Sequence, residues 1–117
     1  MNILIIGLPR CGKTTAADKM ATEETVTIST DGLISQYEWS VFSDKVCDLL
    51  KQPGPWIIEG CSAVRGLRKY LKEGNKPDFE ILWCGSPYIP LVGRQIGFAK
   101  SLESMWKECQ EMMNETT

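Results

Sequence analysis

The feature that most restricts the fold is a junction near the start of the chain. Asn2 to Ile6 is a short apolar run of the kind that forms a strand buried on both faces. It leads directly into Gly7-Leu8-Pro9-Arg10-Cys11-Gly12-Lys13-Thr14, and helical spacing follows from Lys13 to Ala21 with Ala16, Ala17 and Met20 on one face. This segment matches GxxxxGK[ST] in full, between a strand and a helix, where its chemistry requires it. A chance match in a chain of this length is on the order of one in a few hundred. Glycines let the backbone wrap around an anion, loop and helix N–H groups point at it, and the helix dipole adds favourable potential. The junction therefore predicts a phosphate-binding loop of Gly7, Pro9, Arg10, Cys11, Gly12, Lys13, Thr14 and Thr15. Lys13 would reach the β- and γ-phosphates and Thr14 would hold Mg²⁺.

Beyond the loop, strand and helix signals alternate. Thr25 to Ile28 is β-branched and ends before the turn dipeptide Asp31-Gly32. From Ser40 to Lys51, Phe42, Val46, Leu49 and Leu50 recur with helical period until Pro53-Gly54-Pro55 breaks it. Trp56 to Glu59 reads as a third strand. Ser62 opens a helix with the stripe Val64, Leu67, Leu71, which Gly74 and Pro77 stop. Phe79 to Cys84 is a fourth strand. After a loop holding Pro87, Pro90 and Gly93, the stripe Leu102, Met105, Trp106, Cys109, Met113 predicts a last helix of about four turns, with its Met and Trp in the core. No fifth strand follows. This order implies an α/β domain spanning residues 1–117, a three-layer α/β/α with a short, mostly parallel, doubly wound sheet of about four strands and right-handed crossovers. At 117 residues there is room for one domain, and folding buries enough surface for a core without disulfides or metals.

Composition removes whole classes of chemistry. The chain has no histidine, which excludes Ser-His-Asp and Cys-His nucleophilic sites, HExxH zinc sites and histidine acid–base catalysis. Its five cysteines, at 11, 47, 61, 84 and 109, form no CxxC pair, so a zinc cluster or thioredoxin-type motif is not expected. An odd count without a signal peptide reads as free thiols in a reducing, cytoplasmic compartment. No run of 18 apolar residues is present, so no membrane partner is expected. A net charge of −2 without a basic block argues against duplex DNA binding.

GLPRCGKTT resembles the first motif of small P-loop kinases, the group that includes nucleoside, nucleotide, shikimate and polynucleotide 5′-kinases, in a short format similar to kinase-like proteins of phages. The resemblance covers the βαβαβ order of roughly the first 85 residues and is specific in the loop alone. It implies ATP and Mg²⁺ as cofactors. It also implies that Glu59, ending the apolar strand Trp56-Ile57-Ile58-Glu59, stands where such kinases carry a Walker B carboxylate for the metal, although Asp is commoner there. Asp31 matches the position of an acceptor-binding or base carboxylate. Arg10 departs from the pattern, since many members carry glycine there. Such kinases also have an arginine-rich lid, for which Arg94 is the first candidate catalytic cation, with Arg65, Arg68 and Lys100 behind it.

Two other features have ordinary readings. Asn75-Lys76-Pro77-Asp78 spells the NKxD of guanine readers, but it follows a helix and precedes a strand, so a helix-to-strand turn explains it and no guanine preference is expected. Tyr37 and Trp39 could stack on a base, yet aromatic residues opening a helix are read first as core. The expected partners are a nucleoside triphosphate and a small acceptor, with a homo-oligomer left open. The expected function is transfer of the ATP γ-phosphoryl group to a nucleoside, nucleotide or nucleic-acid 5′ end, by a small-molecule or nucleotide kinase. The alternatives are a nucleotide-binding regulatory module or slow ATPase, and an interaction subunit that presents its edge strand.

Overall fold

In the computed structural model, which describes residues 2–34, 36–87 and 90–115, the elements follow the alternating order. They are β1 (Ile3–Gly7), α1 (Lys13–Met20), β2 (Val26–Ser29), a 3-10 turn (Asp31–Leu33), α2 (Trp39–Leu50), β3 (Trp56–Glu59), α3 (Ala63–Lys72), β4 (Glu80–Cys84) and α4 (Arg94–Glu115). All the strand pairs are parallel, and the sheet order is β2-β3-β1-β4. β1 and β3 are central and buried along their length. That explains their unbroken apolar runs: both faces of a central parallel strand are covered.

The connections determine which helix covers which face. The step from β1 to β2 crosses the sheet in one direction, while β2 to β3 and β3 to β4 cross it in the other. With right-handed crossovers, α1 must then lie on one face and α2 and α3 on the opposite one. The packing agrees. Leu4, Ile6 and Ile58 pack with Phe42, Val46, Leu67 and Leu102 of α2, α3 and α4. Ile3, Ile5 and Ile57 point the other way, against Ala17 of α1. Each large side chain fully buried in the first layer contributes about 1.5–3 kcal/mol. The arrangement is compatible with a three-layer α/β/α fold with helices unequally shared between the two faces.

Three details differ from the sequence reading. The last helix is 22 residues long and begins at Arg94, inside the stretch read as loop. Its buried side chains are Ala99, Leu102, Met105 and Cys109, and the exposed opening turns carry no periodic apolar signal. A parallel stack of Trp83 on Trp106, with centroids 5.3 Å apart, fixes this helix to β4. Met20 is exposed rather than buried, because α1 meets the sheet through Ala17 alone among its apolar side chains that are fully covered. Tyr37 and Trp39 are also exposed, so neither is a core residue.

Candidate functional site

The 7–14 loop is shaped by three backbone conformations. At Gly7, φ is +147°, and a side-chain carbon there would overlap the Cys84 carbonyl oxygen and stand 2.7 Å from the Cys84 nitrogen. Glycine is what allows the end of β1 to lie flat against β4, where Leu8 N–H donates to the Cys84 carbonyl at 2.9 Å. Arg10 and Gly12 both take left-handed φ, +61° and +75°. For arginine this is an uncommon conformation that the surrounding turn must hold in place. Gly12 is the residue before α1, no side chain caps that helix, and its first turn has no acidic residue. The first N–H groups of α1 therefore face the loop without a side-chain acceptor, at the positive end of the helix dipole.

Lys13 is buried, 5% exposed, although it carries a charge. Its Nζ donates to the Leu8 carbonyl and also meets the Cys61 thiol, so the ammonium lies across the inside of the loop. An ammonium has three donors, and the bond to the Leu8 carbonyl leaves donors for an anion. Thr14 Oγ1 donates to Glu59 Oε1 at 3.2 Å, which joins the loop to the end of β3. Glu59 is 1% exposed. Thr30, fully buried past the end of β2, donates both N–H, at 2.9 Å, and Oγ1, at 3.2 Å, to the Glu59 carbonyl. Gly60 then turns away with φ +151°, and the Asp31 carboxylate lies beside it. Lys13, Thr14, Asp31 and Glu59 are thus gathered at the carboxyl ends of the strands, the edge where open parallel sheets bind ligands.

Thiols surround the same edge. Burial raises the Cys11 thiol above its usual range, against the opposing pull of Lys13 and with Cys84 adding to the rise. Cys61 is raised for the same first reason, although Lys13 hydrogen-bonds to it and lowers it again. Such thiols stay protonated near neutral pH and act as small packing groups. Sequence reasoning overlooked Cys61 and Thr30. Their sole signal was position, Cys61 two residues past Glu59 and Thr30 next to Asp31.

The remaining candidates separate. Pro9 is half-buried in the loop, while Arg10 and Thr15 are exposed at its surface. Arg94, at the start of α4, is exposed, and no hydrogen bond or ion pair among the described residues ties it to Lys13, Thr14 or Glu59. Lys100 is likewise an exposed residue of α4. Arg65 lies over the Trp39 ring, 4.2 Å from its centroid, and Arg68 pairs with Glu108 at 3.5 Å. The 75–78 segment is a helix-to-strand turn at the amino edge of the sheet, held by Asn75 Nδ2 and Tyr70 Oη donating to the Tyr70 and Lys76 carbonyls. It stands away from the loop.

Among the described residues no three or more Cys, Asp or Glu side chains converge as a metal-binding group. The Thr14 hydroxyl and the Glu59 carboxylate are nevertheless hard oxygen donors that nearly touch. That donor set suits Mg²⁺, which is usually held by one or two protein oxygens together with water and substrate phosphates. No helix of the described residues is long and apolar enough to cross a membrane. No family model matches this chain, and no curated protein sequence matches it.

Proposed function

We propose that the protein is a P-loop phosphotransferase that binds Mg-ATP and passes the γ-phosphoryl group to a small acceptor, a nucleoside, a nucleotide or a nucleic-acid 5′ end. The observation that carries the reading is the 3.2 Å hydrogen bond from the loop hydroxyl of Thr14 to the buried carboxylate of Glu59. A loop with the full GxxxxGK[ST] pattern is thereby joined to the strand-end acid that a phosphate-and-magnesium site needs. The free cysteines agree with a reducing cytoplasmic setting for this activity.

Magnesium, held through Thr14 and Glu59, would supply charge neutralisation for the triphosphate. The chain's own residues do the positioning. Loop amides and Lys13 bind the phosphates, and the Thr14 hydroxyl and Glu59 carboxylate provide the cation's oxygens. Asp31 accepts the proton of the acceptor hydroxyl. As that oxygen bonds to the γ-phosphorus, the bond from phosphorus to the β,γ-bridging oxygen breaks and ADP leaves. Asp31 is exposed at the rim, where an acceptor can reach it.

A second reading is a nucleotide-binding module or slow ATPase, for which the observation is that Arg94 is an exposed residue at the start of α4 with no hydrogen bond or ion pair to the loop among the described residues. Calorimetric titration with Mg-ATP, combined with mass spectrometry of a pooled acceptor library, separates the two. The phosphotransferase reading expects tight binding that Lys13→Ala weakens at least about a hundredfold. It also expects product formation that Asp31→Asn lowers by about two to four orders of magnitude with binding unchanged. Binding without product selects the module. No heat and no thermal shift with any nucleoside triphosphate refutes both.

A further inference from the structure

A groove of about 400 Å³ lies between the start of α2 and the outer face of α3, away from the 7–14 loop. Arg65, Arg68, Lys69 and Lys72 recur at i, i+3, i+4 and i+7 along α3 and line it with Ser40 and Ser43 of α2 and with Glu73 just past the end of α3. At 1.5 Å rise per residue these cations extend over about 10 Å, more than a single phosphate can engage. Lys69 pairs with Asp44, and Arg68 and Lys72 share Glu108 at 3.5 and 3.1 Å. Lys51 pairs with Glu73 at 3.0 Å near the lower end. Five cations thus meet three carboxylates in a chain whose overall charge is negative. These exposed pairs are weak and can be exchanged for phosphate contacts.

Arg65 is the exception among the five. It is half-buried, Arg68 is its charged neighbour, and no carboxylate pairs with it among the described residues. Its guanidinium lies over the Trp39 ring at 4.2 Å, while the Phe42 ring stands nearly perpendicular to the same indole at 5.6 Å. Two contacts therefore fix an indole that is still 43% exposed. A fixed, exposed aromatic face beside a row of cations is the arrangement that holds single strands, bases on the ring and phosphates on the basic groups. An acidic peptide would use the cations and leave the indole idle.

We propose that this groove binds single-stranded nucleic acid, with the backbone phosphates along Arg65, Arg68, Lys69 and Lys72 and one base packed against the exposed part of the Trp39 ring beside it. The inference stands apart from the phosphotransferase reading, because none of these residues belongs to the loop.

The test is fluorescence anisotropy of a 3′-fluorescein ten-nucleotide oligothymidylate, read with the quenching of tryptophan emission. The wild type should bind, with a log–log salt slope of about −1.4 to −2.8 for two to four phosphates. Arg65→Ala/Arg68→Ala should weaken binding at least about tenfold, and Trp39→Leu by about five- to a hundredfold. In Trp39→Phe, whose ring keeps the packing on Phe42, binding should persist while the oligonucleotide-induced quenching is lost. Lys13→Ala should bind the oligonucleotide like the wild type, whatever it does to ATP. The proposal is overturned by absence of binding at 50 mM salt, by full affinity in the arginine variant, or by quenching retained in Trp39→Phe. It is equally overturned if Lys13→Ala abolishes binding, which would put the strand at the loop. Displacement by tripolyphosphate or polyglutamate at equal charge would likewise overturn it, in favour of a small-anion or acidic-peptide site.

Discussion

Replacing Gly60 with alanine probes how closely the strand ends are pressed together at the candidate site. The new side-chain carbon would overlap Thr30 Oγ1 and approach Thr30 Cβ to 3.3 Å and Asp31 Oδ1 to 3.1 Å, at a residue whose φ is +151°. A conformation reserved for glycine costs another residue about 1–3 kcal/mol. Overpacking adds about 1–3 kcal/mol, and the displaced Thr30 hydroxyl loses its bond to the Glu59 carbonyl, about 1 kcal/mol more. A loss of about 3–7 kcal/mol is a large part of the roughly 5–15 kcal/mol that a domain possesses. Urea and thermal unfolding should register it, with the thermal midpoint lowered by more than about 12 °C. Thr30→Ala removes the overlapping oxygen and leaves the 3.3 Å approach to the residue-30 Cβ and the 3.1 Å approach to Asp31 Oδ1, so the double variant should lose less than the two single losses combined, by about 1–3 kcal/mol. A Gly60→Ala protein within 1 kcal/mol of wild type, or strict additivity in the cycle, would refute the argument. Any phosphoryl transfer should fall together with stability, because the Asp31 carboxylate is pushed from its place.

Gly66, inside α3, sets two effects in opposition: alanine gains about 0.8–1 kcal/mol of helix propensity, but its methyl would overlap Val46 on α2 and stand 3.2 Å from the Cys47 nitrogen. Overpacking wins, and Gly66→Ala should lower stability by about 1–3 kcal/mol in chemical denaturation; a rise would contradict the packing. Ser62 Oγ is fully buried with no hydrogen-bond partner among the described residues, so Ser62→Ala should raise the thermal midpoint by several degrees, and a fall would mean that the hydroxyl is satisfied. Burial foremost, followed by neighbouring carboxylates, pushes the Cys47 and Cys109 thiols up from 9.0 to about 11 and about 12. Unfolding then releases thiol protons between pH 9 and those values, so stability should be intact below pH 9 and fall above it, and Cys47→Ala/Cys109→Ala should flatten that alkaline slope.

The alternation of strands and helices was legible because each boundary has a local cause. Pro53-Gly54-Pro55 cannot continue α2, and the apolar run Ile3–Ile6 cannot be a surface segment. The sheet order β2-β3-β1-β4 has no such local signature, since the pairing of Ile3 with Ile57 joins residues far apart in the chain. The loop and Glu59 were readable as a candidate site because glycine and charge at strand ends have few other uses, and the structure brings Thr14 and Glu59 together. Arg94 was not, because a guanidinium on a solvent-facing turn looks the same in sequence whether or not a phosphate is near. The two opening turns of α4 were missed for a related reason. Gly93, with φ +56°, does mark a boundary, but exposed helix turns such as that around Ile96 and Gly97 carry no burial pattern to extend the helix back to it.

The unequal division of helices between the two faces of the sheet has a dynamic consequence. α1 lies across Ile3, Ile5 and Ile57 through Ala17, whereas α2, α3 and α4 brace one another on the other side. Elements with few buried apolar contacts open at free energies below that of global unfolding. Amide protons of α1 should therefore exchange with solvent sooner than those of β1 and β3. Lys13 and Thr14 occupy the first turn of that lightly anchored helix. An anion seated on its N–H groups would close those openings, and slowed exchange confined to α1 and the loop would register ligand binding as a change in motion rather than in shape.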